Sequence, residues 1–99
     1  MVLTILEARV APERAADLRA AFAAAGARST PPGLLRSDLL QSAAEPGVWR
    51  IQTLWESRET LQAMRRAGTP EGVLMFRAAG AEATLSIFEV AATITPAAS

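Results

Sequence analysis

Ten arginines, ten carboxylates and two tryptophans carry most of the chemical potential of this 99-residue chain, which has no histidine, cysteine, tyrosine or lysine. Those absences exclude an imidazole general base, a thiolate nucleophile, zinc held by Cys or His, and haem held by an axial His, Cys or Tyr. No metal site and no cofactor is expected. Both tryptophans fall in Val48–Ser57, Val-Trp-Arg-Ile-Gln-Thr-Leu-Trp-Glu-Ser. On a strand, Trp49, Ile51, Thr53 and Trp55 point to one face, and Val48, Arg50, Gln52 and Leu54 to the other. The first face is apolar and suits either a packed core or the wall of an aromatic-lined pocket. Phe22, Met64, Met75 and Phe76 are the side chains expected to complete such a pocket, although methionines at helical spacing also serve as adaptable core filler.

Among the charges, Arg50 is the informative one. A mid-strand guanidinium on a covered face needs a partner, and Glu7, with compatible parity on the neighbouring strand, is the candidate. Arg65, Arg66 and Arg77 read as solvated cations or as a site for an anionic or phenolate substrate near the pocket mouth. Glu45, Glu82 and Asp17 read as surface charges. No carboxylate pair has the spacing of an acid–base dyad.

These residues must be positioned by a small set of elements. Val2–Val10 has the branched aliphatic content of a strand. Pro12 suits the first turn of a helix, and Ala15, Leu18, Phe22 and Ala25 place an apolar stripe along Pro12–Ala25. Ser29–Gly33 is turn chemistry. Leu34–Ser42 is a second strand, joined by an Ala43–Gly47 hairpin to the third at Val48. Ser57 caps a second helix with Glu59 in its first turn and Leu61, Met64 and Ala67 facing inward. Thr69-Pro70-Glu71 is a cap-plus-proline start, with Thr69 as the cap, for a short helix reaching toward Gly80. Ala83–Thr93 is a fourth strand, and 96–99 is a frayed tail after a single domain over 1–95.

The order β-α-β-β-α-(α)-β is the ferredoxin-like α+β arrangement, a four-stranded antiparallel sheet with its helices on one face. With half the residues apolar and one fifth charged, the chain can build one core. Helices cover only one side of the sheet. The bare side, with Val48, Leu54, Leu3 and Ile5, is expected to pair with a second copy as a homodimer. A formal net charge of zero with scattered cations argues against nucleic acid as a partner. The N-terminal apolar run is too short for a signal or a membrane span, so no membrane partner is expected and the default location is cytoplasmic.

The Pro-Gly-Leu-Leu opening of the second strand, the Pro-Gly hairpin, the strand ending Leu-Trp-Glu-Ser, and the flanking Arg9-Val10-Ala11-Pro12 and Phe88-Glu89-Val90 together resemble the antibiotic biosynthesis monooxygenase (ABM) domain. The resemblance implies a dimeric α+β barrel with a pocket between sheet and helices. Some members are cofactor-independent oxygenases of polycyclic phenols and quinols; others degrade haem. Trp55 matches the family's pocket tryptophan and is the one residue to which the resemblance gives a catalytic role. Where oxygenase members carry an asparagine and a tyrosine, this chain has Ile51 and Leu61. The helix-two histidine and first-strand asparagine of haem degraders are also missing.

Two functions follow. One is cofactor-independent oxygenation of an electron-rich aromatic or quinol, with Trp49, Ile51, Leu61, Met64, Phe22 and Phe76 as the substrate pocket around Trp55. The other is a non-catalytic homodimer that binds an apolar aromatic small molecule or serves an interaction role.

Overall fold

The computed structural model describes residues 1–28 and 30–97; Ser29 of the expected Ser29–Gly33 turn and the last two tail residues lie outside the described residues. Strand β1 (Val2–Arg9) leads through a 3₁₀ turn (Pro12–Arg14) into α1 (Ala15–Gly26). Then follow β2 (Leu34–Gln41), β3 (Val48–Trp55), α2 (Arg58–Arg66), α3 (Glu71–Ala78) and β4 (Thr84–Glu89). Pro12 initiates the first helical segment as its fixed φ and missing donor favour. Ser57 caps α2 through a reciprocal pair with Thr60, in which Thr60 N donates to Ser57 Oγ and Ser57 N donates to Thr60 Oγ1.

Three expectations are corrected. Ala67 is the exposed C-cap of α2 and not part of its inward stripe. Thr69 caps nothing: Pro70 takes the N-cap position of α3 without a side-chain hydrogen bond. The fourth strand ends at Glu89, four residues before Thr93, because Glu89 already pairs with Val2 at the beginning of β1. A single bond from Val90 N to Met1 O (3.0 Å) follows, and then no partner strand remains.

The sheet runs β2-β3-β1-β4 with every neighbouring pair antiparallel, a ferredoxin-like α+β fold. Burial alternates along β1 and β3 with period two. Val2, Thr4, Leu6 and Ala8 meet the helices together with Trp49, Ile51, Thr53 and Trp55. The core is in two parts. One packs Trp49, Ile51, Leu6, Leu18 and Phe76, and the other packs Val2, Trp55 and Leu61.

On the opposite face, Leu3, Ile5, Val48 and Leu54 are half-buried, while Leu40 and Phe88 are exposed. Arg50 and Glu7 stand directly opposite in the β1–β3 register and form an ion pair, Nε to Oε1 2.6 Å. Both side chains remain about half exposed, so the pair is worth at most about 1 kcal/mol until that face is covered. Among the described residues, no helix is long and apolar enough to cross a membrane.

Candidate functional site

A cavity of about 650 Å³ opens between the helix-side face of the sheet and the helices. Its walls are mostly apolar: Trp55 and Ile51 of β3, Phe22 of α1, Met64 of α2 and Met75 of α3. It lies at the gap in the core, since Leu6, Ile51 and Phe22 belong to one cluster while Trp55 and Met64 belong to the other. Gly72, in the first turn of α3, lets that helix approach β1 closely. A Cβ there would lie 2.7 Å from Leu6 Cδ1 and 3.5 Å from Ile51 Cδ1.

Three hydroxyls of the sheet interrupt the apolar lining, and the exposed Thr30 adds a fourth outside the sheet. Thr4 on β1 and Thr53 on β3 are opposite in register, and Ser37 on β2 is opposite Thr53. All three line the cavity. Trp55 Nε1 donates to Thr4 Oγ1 (3.1 Å), Thr4 Oγ1 donates a long bond to Thr53 O (3.5 Å), and Ser37 Oγ and Thr53 Oγ1 share a bond of 2.9 Å. The indole N–H of Trp55 is therefore committed to the protein, and what this tryptophan offers a ligand is its apolar surface. Among the described residues, no buried side-chain nitrogen or oxygen lacks a hydrogen-bond partner.

Ser37 reaches this row because of a β-bulge. Leu34 pairs with Trp55, but Arg36 pairs with Leu54, so Leu35 is the extra residue. Plain alternation from Leu34 would have placed Arg36 and Asp38 on the helix side; the bulge reverses the parity and puts Ser37 and Leu39 there. Arg36 and Asp38 pair with one another instead, Nε to Oδ2 2.8 Å. A neutral hydroxyl stands opposite Thr53, where the unbulged register would have placed Arg36.

The charged groups on the lining are Arg28 and Glu71, which hydrogen-bond to each other with both side chains half exposed, at the solvent rim. Arg65, Arg66 and Arg77 do not line the cavity. Arg77 pairs with Glu82 at 3.5 Å. Of the pocket residues expected from the sequence, Phe22, Ile51, Met64 and Met75 do line the cavity with Trp55. Trp49, Leu61 and Phe76 do not; they are almost fully buried in the two core clusters, and the Arg19 guanidinium lies 5.1 Å above the Trp49 ring. Trp49 lies three pleat repeats, about 20 Å, from Trp55 along β3, which is enough to carry it past the gap into the larger cluster.

Sequence reading missed Thr4, Thr53 and Ser37. The parity of Thr53 was legible, but the alignment of three hydroxyls depends on two registers and a bulge. It also missed Arg28 and Glu71, which lie in different segments and meet only in the folded chain.

A second hollow of about 860 Å³ lies elsewhere, lined by the Arg50–Glu7 and Arg9–Glu45 ion pairs. Those four charges satisfy one another, Glu82 on the same lining pairs outward with Arg77, and the hollow lacks an apolar wall of comparable extent. It is the weaker candidate for a small-molecule site.

Haem held by an axial imidazole, thiolate or phenolate does not fit this cavity, because the chain has no His, Cys or Tyr to supply one. Among the described residues there is also no group of three His, Cys, Asp or Glu placed to hold a metal ion.

The fold has counterparts in solved structures. MhuD, a haem degrader of Mycobacterium tuberculosis crystallised with two haems in its active site, is 28% identical to this chain with a TM-score of 0.71, over 96% of this chain and 100% of that one. SnoaB, a cofactor-independent oxygenase of Streptomyces nogalater, shares the fold with a TM-score of 0.70 at 18% identity, over 96% and 97% of the two chains. A Bacteroides thetaiotaomicron protein of unknown function matches with a TM-score of 0.68 at 22% identity, over 90% and 96%. No curated protein sequence matches the chain. The sequence profile described as antibiotic biosynthesis monooxygenase matches residues 1–69, which run from β1 through α2 and carry Thr4, Ser37, Thr53 and Trp55. By that match, the chain belongs to the antibiotic biosynthesis monooxygenase family.

Proposed function

We propose that this chain is a cofactor-independent oxygenase of an electron-rich planar aromatic, of the quinol or anthrone type, and that it takes this substrate into the cavity walled by Trp55. The observation that carries the reading is the cavity itself: apolar surface from four elements, a polar row of neutral hydroxyls, and a charged pair at its rim. Such a substrate can supply the electrons that oxygen requires. For an anthrone, the methylene carbon gives up its two hydrogens; one oxygen atom becomes the new carbonyl and the other leaves with those hydrogens as water. The protein's part is to exclude water, hold the ring plane and stabilise the charge of the deprotonated substrate.

Oxygen uptake with hydroxylated anthrones and naphthoquinols tests this. The expected result is protein-dependent consumption that falls by about ten- to a hundredfold in Trp55→Phe, as loss of substrate positioning predicts. Consumption equal to buffer across the panel would remove the oxygenase reading.

A second reading, a dimer that binds an aromatic small molecule without transforming it, is favoured by one specific observation. No general base lines the cavity apart from Glu71, which is paired with Arg28; the family resemblance adds that Ile51 and Leu61 replace the polar residues of oxygenase members. In that case an aromatic ligand binds while oxygen uptake stays at the buffer rate.

Both readings include a homodimer formed through the open sheet face, supported by the apolar run of Leu3, Ile5, Leu54 and Phe88 and by the half-exposed Arg50–Glu7 pair within it. Light scattering is expected to give twice the 10.4 kDa chain mass for the native protein and the single-chain mass for Leu54→Glu, which places an unpaired carboxylate at the centre of that face. A native protein of single-chain mass would overturn this assembly.

A further inference from the structure

On the helix-side face, β1 presents Val2, Thr4, Leu6 and Ala8, and β3 presents Trp49, Ile51, Thr53 and Trp55. Each strand carries one hydroxyl on this face, and the two stand opposite each other; the bulge of β2 adds Ser37 beside them. These are positions where a β-branched aliphatic would join the two halves of the core. The hydroxyls fall instead where the core is divided and the cavity begins.

The hydrogen inventory of the row is uneven. Thr4 accepts from Trp55 and donates to Thr53 O. Ser37 and Thr53 share one bond between their hydroxyl oxygens, and only one of their two hydrogens is needed to make it. Whichever hydroxyl accepts keeps its own hydrogen free. Their cross-strand neighbour on this face, Thr4, has its hydroxyl engaged with Trp55 and Thr53 O, and among the described residues neither Ser37 Oγ nor Thr53 Oγ1 makes a second hydrogen bond.

We infer that the Ser37–Thr53 pair is the oxygen-reading element of the cavity, its free hydroxyl hydrogen donating to a carbonyl or phenolate oxygen on the edge of a planar aromatic ligand. The inference rests on the cavity being the ligand site, as proposed above, and gives that site a substrate class: ring systems bearing an oxygen substituent, in preference to hydrocarbons of the same shape. Thr4, already engaged twice, positions Trp55 through its indole N–H and fixes the plane against which the ring lies. A neutral donor suits this role because it serves a carbonyl and a phenolate alike without placing a fixed charge in an apolar cavity.

The test compares 1,4-naphthoquinone with naphthalene as probes, binding to the intact protein being followed by tryptophan fluorescence, for the native chain, Thr53→Val and Ser37→Ala. Thr53→Val keeps the branched shape and strand preference, and thermal melting checks that both variants fold. The expected result is that the native protein binds naphthoquinone more tightly than naphthalene. The variants should weaken naphthoquinone by about three- to tenfold, the size of one neutral hydrogen bond, while leaving naphthalene unchanged or tighter. Equal losses for both probes would mean that the substitutions merely reshaped the cavity, and no loss for either would mean that the pair serves the sheet alone; either overturns the inference. So would a native protein that binds neither probe. The selective loss together with a native protein that consumes no oxygen would sustain the inference and remove the oxygenase reading, so the two fail separately. Should a variant fail to fold, the other supplies the comparison.

Discussion

Trp55→Ala and Trp49→Ala are each expected to lower the unfolding free energy by about 3–5 kcal/mol, but only the first should alter binding in the cavity. Both side chains are almost fully buried on the same face of β3, and truncating either leaves a void that neighbouring side chains fill only in part. Their surroundings differ. Trp49 packs with Leu18 and Phe76 under the Arg19 guanidinium, in the larger cluster and away from the cavity. Trp55 has one side in the smaller cluster and another on the cavity wall, with its N–H held by Thr4. Urea unfolding measures the first effect. A losses-of-stability match combined with naphthoquinone affinity that changes only at position 55 is the expected pattern. Because a small domain has only about 5–15 kcal/mol of stability, Trp49→Phe and Trp55→Phe should accompany the alanine variants. Equal binding effects at positions 49 and 55 would show that the cavity described here is not the binding site.

Gly33→Ala is expected to destabilise by about 2–5 kcal/mol, combining a left-handed backbone penalty with overpacking. Gly33 has φ +82°, and a Cβ built there would stand 2.5 Å from Cβ and Cγ2 of Thr60. Thr60 cannot simply turn aside, because its hydroxyl and amide are both tied to Ser57 in the α2 cap. The Gly33 carbonyl also accepts from Glu56 N at 2.8 Å, locking the start of β2 to the end of β3. One substitution therefore strains a turn, a helix cap and the bulged end of β2 whose Leu34 lines the cavity. Gly26→Ala is the control: it lies within α1, and its Cβ would meet nothing within 4 Å. There alanine should be neutral or stabilising by about 0.5–1 kcal/mol. The denaturant midpoint is expected to fall for Gly33→Ala and to hold or rise for Gly26→Ala. A Gly33→Ala loss below about 1 kcal/mol would mean that the turn relaxes away from Thr60 at little cost.

Much of this fold is local in origin and was therefore legible in the residues. Alternation along Val2–Arg9 and Val48–Trp55 set the two faces of the sheet, and Pro12 and Ser57 marked helix starts. The Trp-Glu-Ser junction carried the family resemblance. The pairing of Arg50 with Glu7 also followed from parity on strands that the topology makes neighbours.

The candidate site was legible only in part. Trp55, Ile51, Met64 and Phe22 could be assigned to the helix side, but nothing in their spacing told that Trp49, Leu61 and Phe76 would pack into solid core while the others bordered a void. Periodicity reports which face a side chain takes, and whether that face is filled depends on how closely α1, α2 and α3 approach the sheet.

The sequence by itself determined the elements, the sheet faces and the absence of imidazole, thiol and phenol chemistry, because these depend on residue type and on periods of 2 and 3.6. Tertiary structure decided the polar content of the cavity. Whether Thr4, Thr53 and Ser37 meet depends on the register between three strands separated by up to 49 residues in sequence, and on one extra residue at Leu35. Without that extra residue Arg36 would have stood opposite Thr53 in place of Ser37, and strand register is fixed by the whole sheet packing together.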